Sequence, residues 1–233
     1  MKFVVYAQNH DQIGNRMMGE RLGQLVSFEG VKLASAVVLL SPFVPLLFMG
    51  DEYGEKAPFQ YFVSHSDPFL VEAVRKGRRE EFSTFKWKGE PPDPQDEGTF
   101  QKSKLDHSLK DKRPHQILLQ FHKELIALRK TVPALYCLSK EKMDVISLEE
   151  ERILGVRRWN GLSETLVVFN FNDRESRQLQ NIPYGIWRKR LDSSDSRWAG
   201  NGATVTDTLD ATRIRSIMVQ PHGVMVFERE IQD

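Results

Sequence analysis

The hydrophobic pattern divides the chain into a front half of short apolar runs alternating with helical stretches and a back half of closely spaced strands. Residues 3–7, Phe-Val-Val-Tyr-Ala, are apolar throughout. They predict a buried strand rather than the alternating strand of a half-exposed sheet. Gln8-Asn9-His10-Asp11 follow at its carboxyl end, then Gly14 and Gly19, then a helix over residues 28–40. Residues 33–50 carry no charge and are long enough to pass a crude membrane-span filter. Pro42 and Pro45 interrupt that run, and Lys32 and Asp51 bracket it. Proline removes a helical donor and clashes with the preceding turn, so the run divides into a buried helix ending near Ser41 and a strand over 46–49. Strand, helix and strand joined this way predict a parallel βαβ crossover. In such folds the loops at the carboxyl ends of the strands carry the chemistry.

From residue 58 to 112 the character changes. A helix is predicted over 69–81, then an irregular stretch around Pro91-Pro92-Asp93-Pro94. The next helix, over 115–130, places Leu118, Phe121, Leu125 and Leu128 on one face and is ended by Pro133. After Met143 the pattern is all β. Residues 152–159 and 165–171 flank Asn160-Gly161, a hairpin signal. Strands over 186–191, 203–206, 214–219 and 223–228 complete what reads as a small antiparallel sandwich.

The 233 residues favour one medium domain or two small ones. With 33 Lys+Arg against 32 Asp+Glu, the net charge of +1 removes the electrostatic case for nucleic acid or an anionic membrane as partner. A single cysteine, Cys137, read as core, excludes an internal disulfide and a cysteine-based metal cluster. The first apolar run is too short for a signal peptide, and a reduced, cytoplasmic setting is expected.

Candidate chemistry concentrates in two places. Gln8-Asn9-His10-Asp11-Gln12-Ile13-Gly14-Asn15-Arg16 crowds amides, an imidazole and a carboxylate at the end of a buried strand. Such a set suits the hydroxyls of a sugar, and Asp11 is suited to stabilising positive charge at an anomeric carbon. The plainer reading is a turn and a helix cap. Gly50-Asp51-Glu52-Tyr53-Gly54-Glu55 offers three acids, as an acid/base pair, a divalent-metal site or solvated loop carboxylates. Arg75-Lys76-Gly77-Arg78-Arg79 is balanced by Glu80 and Glu81 and reads as a solvated helix face. His107, His115 and His122 lack metal-ligand spacing, Ser193-Ser194 lacks the glycines of a nucleophile elbow, and no phosphate-binding glycine fingerprint is present.

Residues 3–12, ending in Asn9-His10-Asp11-Gln12, resemble the fourth conserved region of the α-amylase family of glycoside hydrolases. The likeness extends to Gln12-Ile13-Gly14-Asn15-Arg16, Phe48-Met49-Gly50-Asp51-Glu52-Tyr53-Gly54-Glu55, Ala57-Pro58-Phe59, Pro92-Asp93-Pro94-Gln95-Asp96, Ser103-Lys104-Leu105-Asp106 and Leu191-Asp192-Ser193-Ser194-Asp195. This ordered set is similar to the family's trehalohydrolase branch. The resemblance implies the last two βα units of a (β/α)8 barrel over 1–142, followed by a β-sandwich domain over 143–233. It implies hydrolysis, with retention, of the α-1,4 bond next to the trehalose end of a maltooligosyl trehalose. Asp11 would be the transition-state stabiliser. His10 would bond the same sugar, and Gln12, Ile13, Gly14 and Asn15 would line the subsite beside it. No cofactor or metal is implied. Met17-Met18 and Asp51 depart from the branch's pattern.

The branch's nucleophile aspartate and acid/base glutamate belong to earlier barrel strands, so the 233 residues are expected to be inactive alone. A separate polypeptide supplying the missing strands is then the expected partner, beside a maltooligosaccharide-type substrate. Three alternatives stand beside this reading. One is a glucan-branching enzyme, which shares Asn-His-Asp and the Phe-Met-Gly strand. Another is a non-catalytic glucan-binding module with Tyr53, Phe59, Tyr61 and Trp198 as stacking surfaces. The last is an inactive, aggregation-prone remnant.

Overall fold

The computed structural model describes residues 3–83 and 89–230. The front half opens with the parallel pair that the crossover predicts: β1 (Val4–Val5) beside β2 (Val44–Pro45), with Val4 opposite Val44 and Val5 opposite Pro45. Between them lie α1 (His10–Gly14), α2 (Leu22–Leu25) and α3 (Phe28–Leu40). The bounds of α3 match the expected helix, and the Ser27 hydroxyl caps it by accepting the Gly30 N–H at 3.1 Å. At 13 residues α3 is too short to span a bilayer, and no helix among the described residues is long and apolar enough to cross one.

Two expectations fail here for one reason. The second strand is Val44–Pro45, not residues 46–49. In a parallel ladder alternate N–H groups face alternate neighbours. Val44 and Leu46 donate to the Phe3 and Val5 carbonyls at 2.9 and 2.8 Å, while Pro45, which has no N–H, faces the other way. Proline is tolerated on such an edge, so the ladder forms around Pro45 instead of after it. The same open edges explain why β1 is not buried. Phe3, Val4 and Tyr6 are all exposed, because no described strand other than β2 pairs with it.

The insertion holds α4 (Pro68–Ser83), α5 (Glu97–Lys102) and a 3-10 turn (His107–Asp111), with the proline stretch irregular as expected. Next come α6 (His115–Thr131) and the short α7 (Pro133–Tyr136), which Pro133 opens. Leu118, Phe121, Leu125 and Leu128 are all buried, as their spacing requires.

The back half is antiparallel. A six-stranded sheet runs β3 (Met143–Leu148), β4 (Ile153–Asn160), β5 (Ser163–Asn170), β10 (Val224–Glu230), β7 (Ile186–Asp192), β8 (Thr208–Asp210). A two-stranded ribbon of β6 (Arg177–Gln180) and β9 (Ser216–Val219) packs on one face. The hairpin turn is Gly161-Leu162, since Asn160 already pairs with Ser163. Gly161, at φ +58°, supplies the left-handed first position of such a turn. No strand forms over 203–206. The Val205 carbonyl accepts the Lys189 ammonium rather than a ladder N–H, and pairing with β7 begins at Thr208.

Alternation splits the sheet's residues between two cores. Val167, Phe169, Val224 and Val226 pack against Leu33, Ala36, Leu39 and Leu40 of α3 and Phe121, Leu125 and Leu128 of α6. Leu166, Val168, Met225 and Phe227 point to the opposite core, with Trp187 and the ribbon residues Leu179, Ile217 and Val219. Burial on both faces is why β5 reads as a continuous apolar run.

Buried cations stitch the two halves together. Arg158 donates to the Leu40, Leu135 and Cys137 carbonyls at 2.8, 3.1 and 2.6 Å. It thereby satisfies the carbonyl ends of α3 and α7, and burial lowers its pKa to about 10. Lys32, fully buried in α3, donates to the Ser193 and Trp198 carbonyls at 2.7 and 2.9 Å and pairs with Glu29 at 2.8 Å.

Candidate functional site

The polar cluster sits where β1 ends. Asn9 is extended, and its Oδ1 accepts the Gln12 N–H at 2.9 Å, which starts α1. The plainer reading therefore holds for Asn9, a helix cap. The helix it caps presents the rest. His10, Asp11, Gln12 and Asn15 are exposed, while Ile13 and Gly14 are buried. His10 Nε2 lies 3.2 Å from Asp11 Oδ1, with the two side chains 68% and 72% accessible. An imidazole and a carboxylate held side by side toward solvent, at the carboxyl end of a parallel strand, are free to grip an incoming ligand.

The back of this helix is fixed by packing. The Phe59 ring lies 3.8 Å from where a Cβ on Gly14 would stand. Gly19, at φ +68°, accepts the Phe59 N–H at 2.9 Å, and any Cβ there would sit 2.7 Å from the Phe59 backbone. Arg78, reaching in from α4, donates Nη2 to the Gly14 carbonyl at 2.8 Å and Nη1 to Asn15 Oδ1 at 3.3 Å. Its guanidinium stacks on Tyr61 and Phe82 at 4.7 and 4.6 Å. The basic stretch is thus only partly the solvated face expected of it. Lys76 is 75% accessible, whereas Arg78 is 12% accessible because two rings and a helix end enclose it.

The acids after β2 do not converge. Asp51–Tyr53 forms a 3-10 turn between Gly50 and Gly54, both left-handed. Asp51 Oδ2 accepts the Phe48 N–H at 2.9 Å, and its Oδ1 accepts Gln8 Nε2. Glu52 accepts the Gly50 N–H at 3.1 Å. Glu55 is buried rather than solvated, and accepts the Tyr53 hydroxyl at 2.8 Å and the N–H groups of Lys56, Ala57 and Asp106 at 2.7, 2.8 and 2.7 Å. Burial raises the Glu55 pKa, but these donors outweigh it and leave the carboxyl below its ordinary range. Glu55 is therefore a permanent structural acceptor. Among the described residues no three His, Cys, Asp or Glu side chains converge to hold a metal ion.

The other residues named from sequence fall outside the site. Tyr53 and Trp198 are core residues, Trp198 packing edge-on against Phe121 at 5.3 Å, so neither offers a sugar-stacking face. Tyr61 is exposed but carries Arg78. Cys137 is half-buried rather than core, standing at the end of α7 next to the exposed Tyr136. His115 and His122 face the Tyr53 and Leu118 carbonyls at 2.8 and 3.0 Å. Buried Arg21 donates to the Ala57 and Met49 carbonyls at 2.7 and 2.8 Å and lies over Phe48. A lone arginine between Glu20 and Leu22 carries no sequence signal for that role.

Comparison with known proteins supplies the context for this geometry. No family model matches the chain. A malto-oligosyltrehalose trehalohydrolase of Saccharolobus solfataricus is 50% identical over 129 residues, 55% of this chain and 21% of that protein. One from Rhizobium sp. is 43% identical over 174 residues, 73% and 28% of the two chains. The Deinococcus radiodurans protein of that name is 35% identical over 198 residues, 84% and 32%. The chain resembles a carboxyl-terminal portion of malto-oligosyltrehalose trehalohydrolases. It spans about a quarter of the length of the curated relatives it matches. Among solved structures, an α-amylase-like protein of Salmonella typhimurium superposes with a TM-score of 0.75 at 30% identity, covering 97% of this chain and 35% of that one. An α-amylase from H. orenii superposes at 0.56 and 16% identity over 97% and 40%, a likeness of fold alone.

Proposed function

We propose that this chain supplies the last two βα units of a (β/α)8 barrel, residues 1–142, and a β-sandwich domain, residues 143–233, of a malto-oligosyltrehalose trehalohydrolase. The reaction is hydrolysis of the α-1,4 bond next to the trehalose end of a maltooligosyl trehalose, by retention. The observation that carries this reading is the exposed His10–Asp11 pair at the end of β1, in a chain 35–50% identical to trehalohydrolases over its matched stretches. In a retaining glycosidase one carboxylate attacks the anomeric carbon while a second protonates the leaving oxygen, through an oxocarbenium-like transition state. Asp11 stabilises the charge that develops there and holds hydroxyls of the reacting sugar. His10 bonds the same sugar, and Gln12, Ile13, Gly14 and Asn15 shape the neighbouring subsite.

The nucleophile and the acid/base come from barrel strands that another segment or polypeptide contributes. The exposed apolar side chains of Phe3, Val4, Val44 and Leu46, at 44%, 55%, 36% and 39%, support a covering partner for the parallel pair. The test is trehalose release from maltooligosyl trehalose. The 233 residues alone should release none. With the remaining strands supplied, release should appear, and Asp11→Asn should cut kcat by roughly 100–1,000-fold. Glucan branching in place of trehalose release by the completed enzyme would overturn the substrate assignment.

A further inference from the structure

The acids after β2 do not act as a cluster, yet one of them reaches the candidate site through a single side chain. Gln8 lies between the end of β1 and the helix that carries His10 and Asp11. Its amide bonds in two directions. Nε2 donates to Asp51 Oδ1, and Oε1 accepts the Leu22 N–H at 2.8 Å. Asp51 is itself pinned by the Phe48 N–H. One amide therefore joins the end of β1, the turn after β2 and the first turn of α2. The next residue, Asn9, is the cap of the site helix.

We propose that Asp51 is a positioning residue for Asp11: acting through Gln8, it holds the carboxyl end of β1, and with it the site helix, in register with the turn after β2. The inference rests on reading Asp11 as the carboxylate at the reacting centre. Both groups that bond Asp51 are donors, so both need an acceptor oxygen, and only the ionised carboxylate satisfies the two fully. Burial pushes the Asp51 carboxyl up to about 6, against the pull of Gln8, the Phe48 N–H and Arg21. The charged groups that act on it are Arg21 before α2 and Glu52 on its own turn, while Glu55 and His122 of α6 line the same cavity of about 30 Å³.

The anchor is therefore strongest above about pH 6 and weakened below it. Stability runs the other way. A folded-state pKa of about 6 against an ordinary 3.8 means that ionising Asp51 opposes folding, so its contribution to stability falls as pH rises through 6. A residue that only supported the fold would move activity and stability together.

The test combines trehalose release by the complete enzyme with hydrogen exchange of the Gln12 and Ile13 amides. In Asp51→Asn, kcat at pH well above 6 should fall on the order of tenfold with KM within about twofold. The acid limb near pH 6 should flatten, and the two amides should exchange faster. Adding Gln8→Glu should restore kcat and the slower exchange of the two amides. Glu at 8 accepts both the Leu22 N–H and an Asn side-chain N–H at 51, and returns a carboxylate to the pair. The proposal is overturned if Asp51→Asn leaves exchange and kcat unchanged, or if the double variant recovers nothing. If the unaltered enzyme releases no trehalose, the functional reading fails, and the exchange measurements decide the inference by themselves.

Discussion

Two apolar strands of nearly the same character meet opposite fates in this molecule. In β1, Val4 is 55% exposed, and its flanking neighbours Phe3 and Tyr6 are exposed as well. In β5, Leu166, Val167 and Val168 are exposed by 0%, 1% and 0%. The side chains do not explain the difference, since paired valines beside a phenylalanine stand in both stretches. Partners do. β5 is central, paired with β4 and β10 and covered by helices on one face and the β6–β9 ribbon on the other. β1 has β2 on one edge and no described strand on the other. A continuous apolar strand thus reports how much cover it needs, and only the fold reports whether the cover is present.

The most forceful way to break this comparison is to truncate one residue in each strand. Leu166→Ala opens a cavity between packed layers and should cost about 2–5 kcal/mol in denaturant unfolding. Val4→Ala in the same 233-residue chain should stay within about 0.5 kcal/mol, because its methyl groups already meet water. With the proposed barrel strands supplied, the Val4→Ala cost should rise above that bound. An equal, large cost for both variants in the chain by itself would mean that β1 is already covered, and the need for a partner would fall.

The same contrast governs what could be read before any coordinates. The helix at 28–40 and the four-residue apolar face of α6 were legible because their signals are local: an apolar run stopped by proline in one, a helical spacing in the other. The cluster from Gln8 to Asn15 was legible as a group of residue types, but not that His10, Asp11, Gln12 and Asn15 face solvent while Ile13 and Gly14 are buried. Strand placement around Pro45 and Thr208 was not, since the first turns on which N–H groups face β1 and the second on the register set by β7. Nor were the links that fix the site. Gln8 meets Asp51 across 43 positions and Arg78 meets Gly14 across 64, and neither spacing leaves a periodic trace. Acids that look like a catalytic group in sequence prove to be acceptors for backbone N–H groups, which a composition count cannot distinguish.

A middle-sized effect is expected where the two regions meet. Lys32 joins α3 to the turn after β7, and that turn is part of Leu191-Asp192-Ser193-Ser194-Asp195. Lys32→Met keeps the volume but leaves the Ser193 and Trp198 carbonyls without their donor. It should lower stability by about 1–3 kcal/mol, since a buried acceptor left unpaired loses its solvation. Glu29 is 28% exposed and can turn to water, so the loss should fall on the junction. Unchanged unfolding would mean that the shared apolar core alone carries the junction.

The smallest effect should come from Arg78, and it bears on the front half as a functional surface rather than an unfinished core. Arg78 stands in the inserted helix, yet its fork closes on the last carbonyl of the site helix and on Asn15. Arg78→Lys keeps the charge but loses both the two-pronged geometry and the stacking on Tyr61 and Phe82. Losing one such hydrogen bond is worth about 1 kcal/mol, or roughly a fivefold drop in kcat/KM. Because Asn15 is proposed to line the subsite rather than touch the reacting bond, the drop should appear in KM, with kcat nearly unchanged. A fall in kcat instead would place Arg78 upstream of Asp11, through the shared helix. An unchanged kcat/KM would mean that the insertion only covers the back of the site helix and takes no part in holding its sugar-facing side.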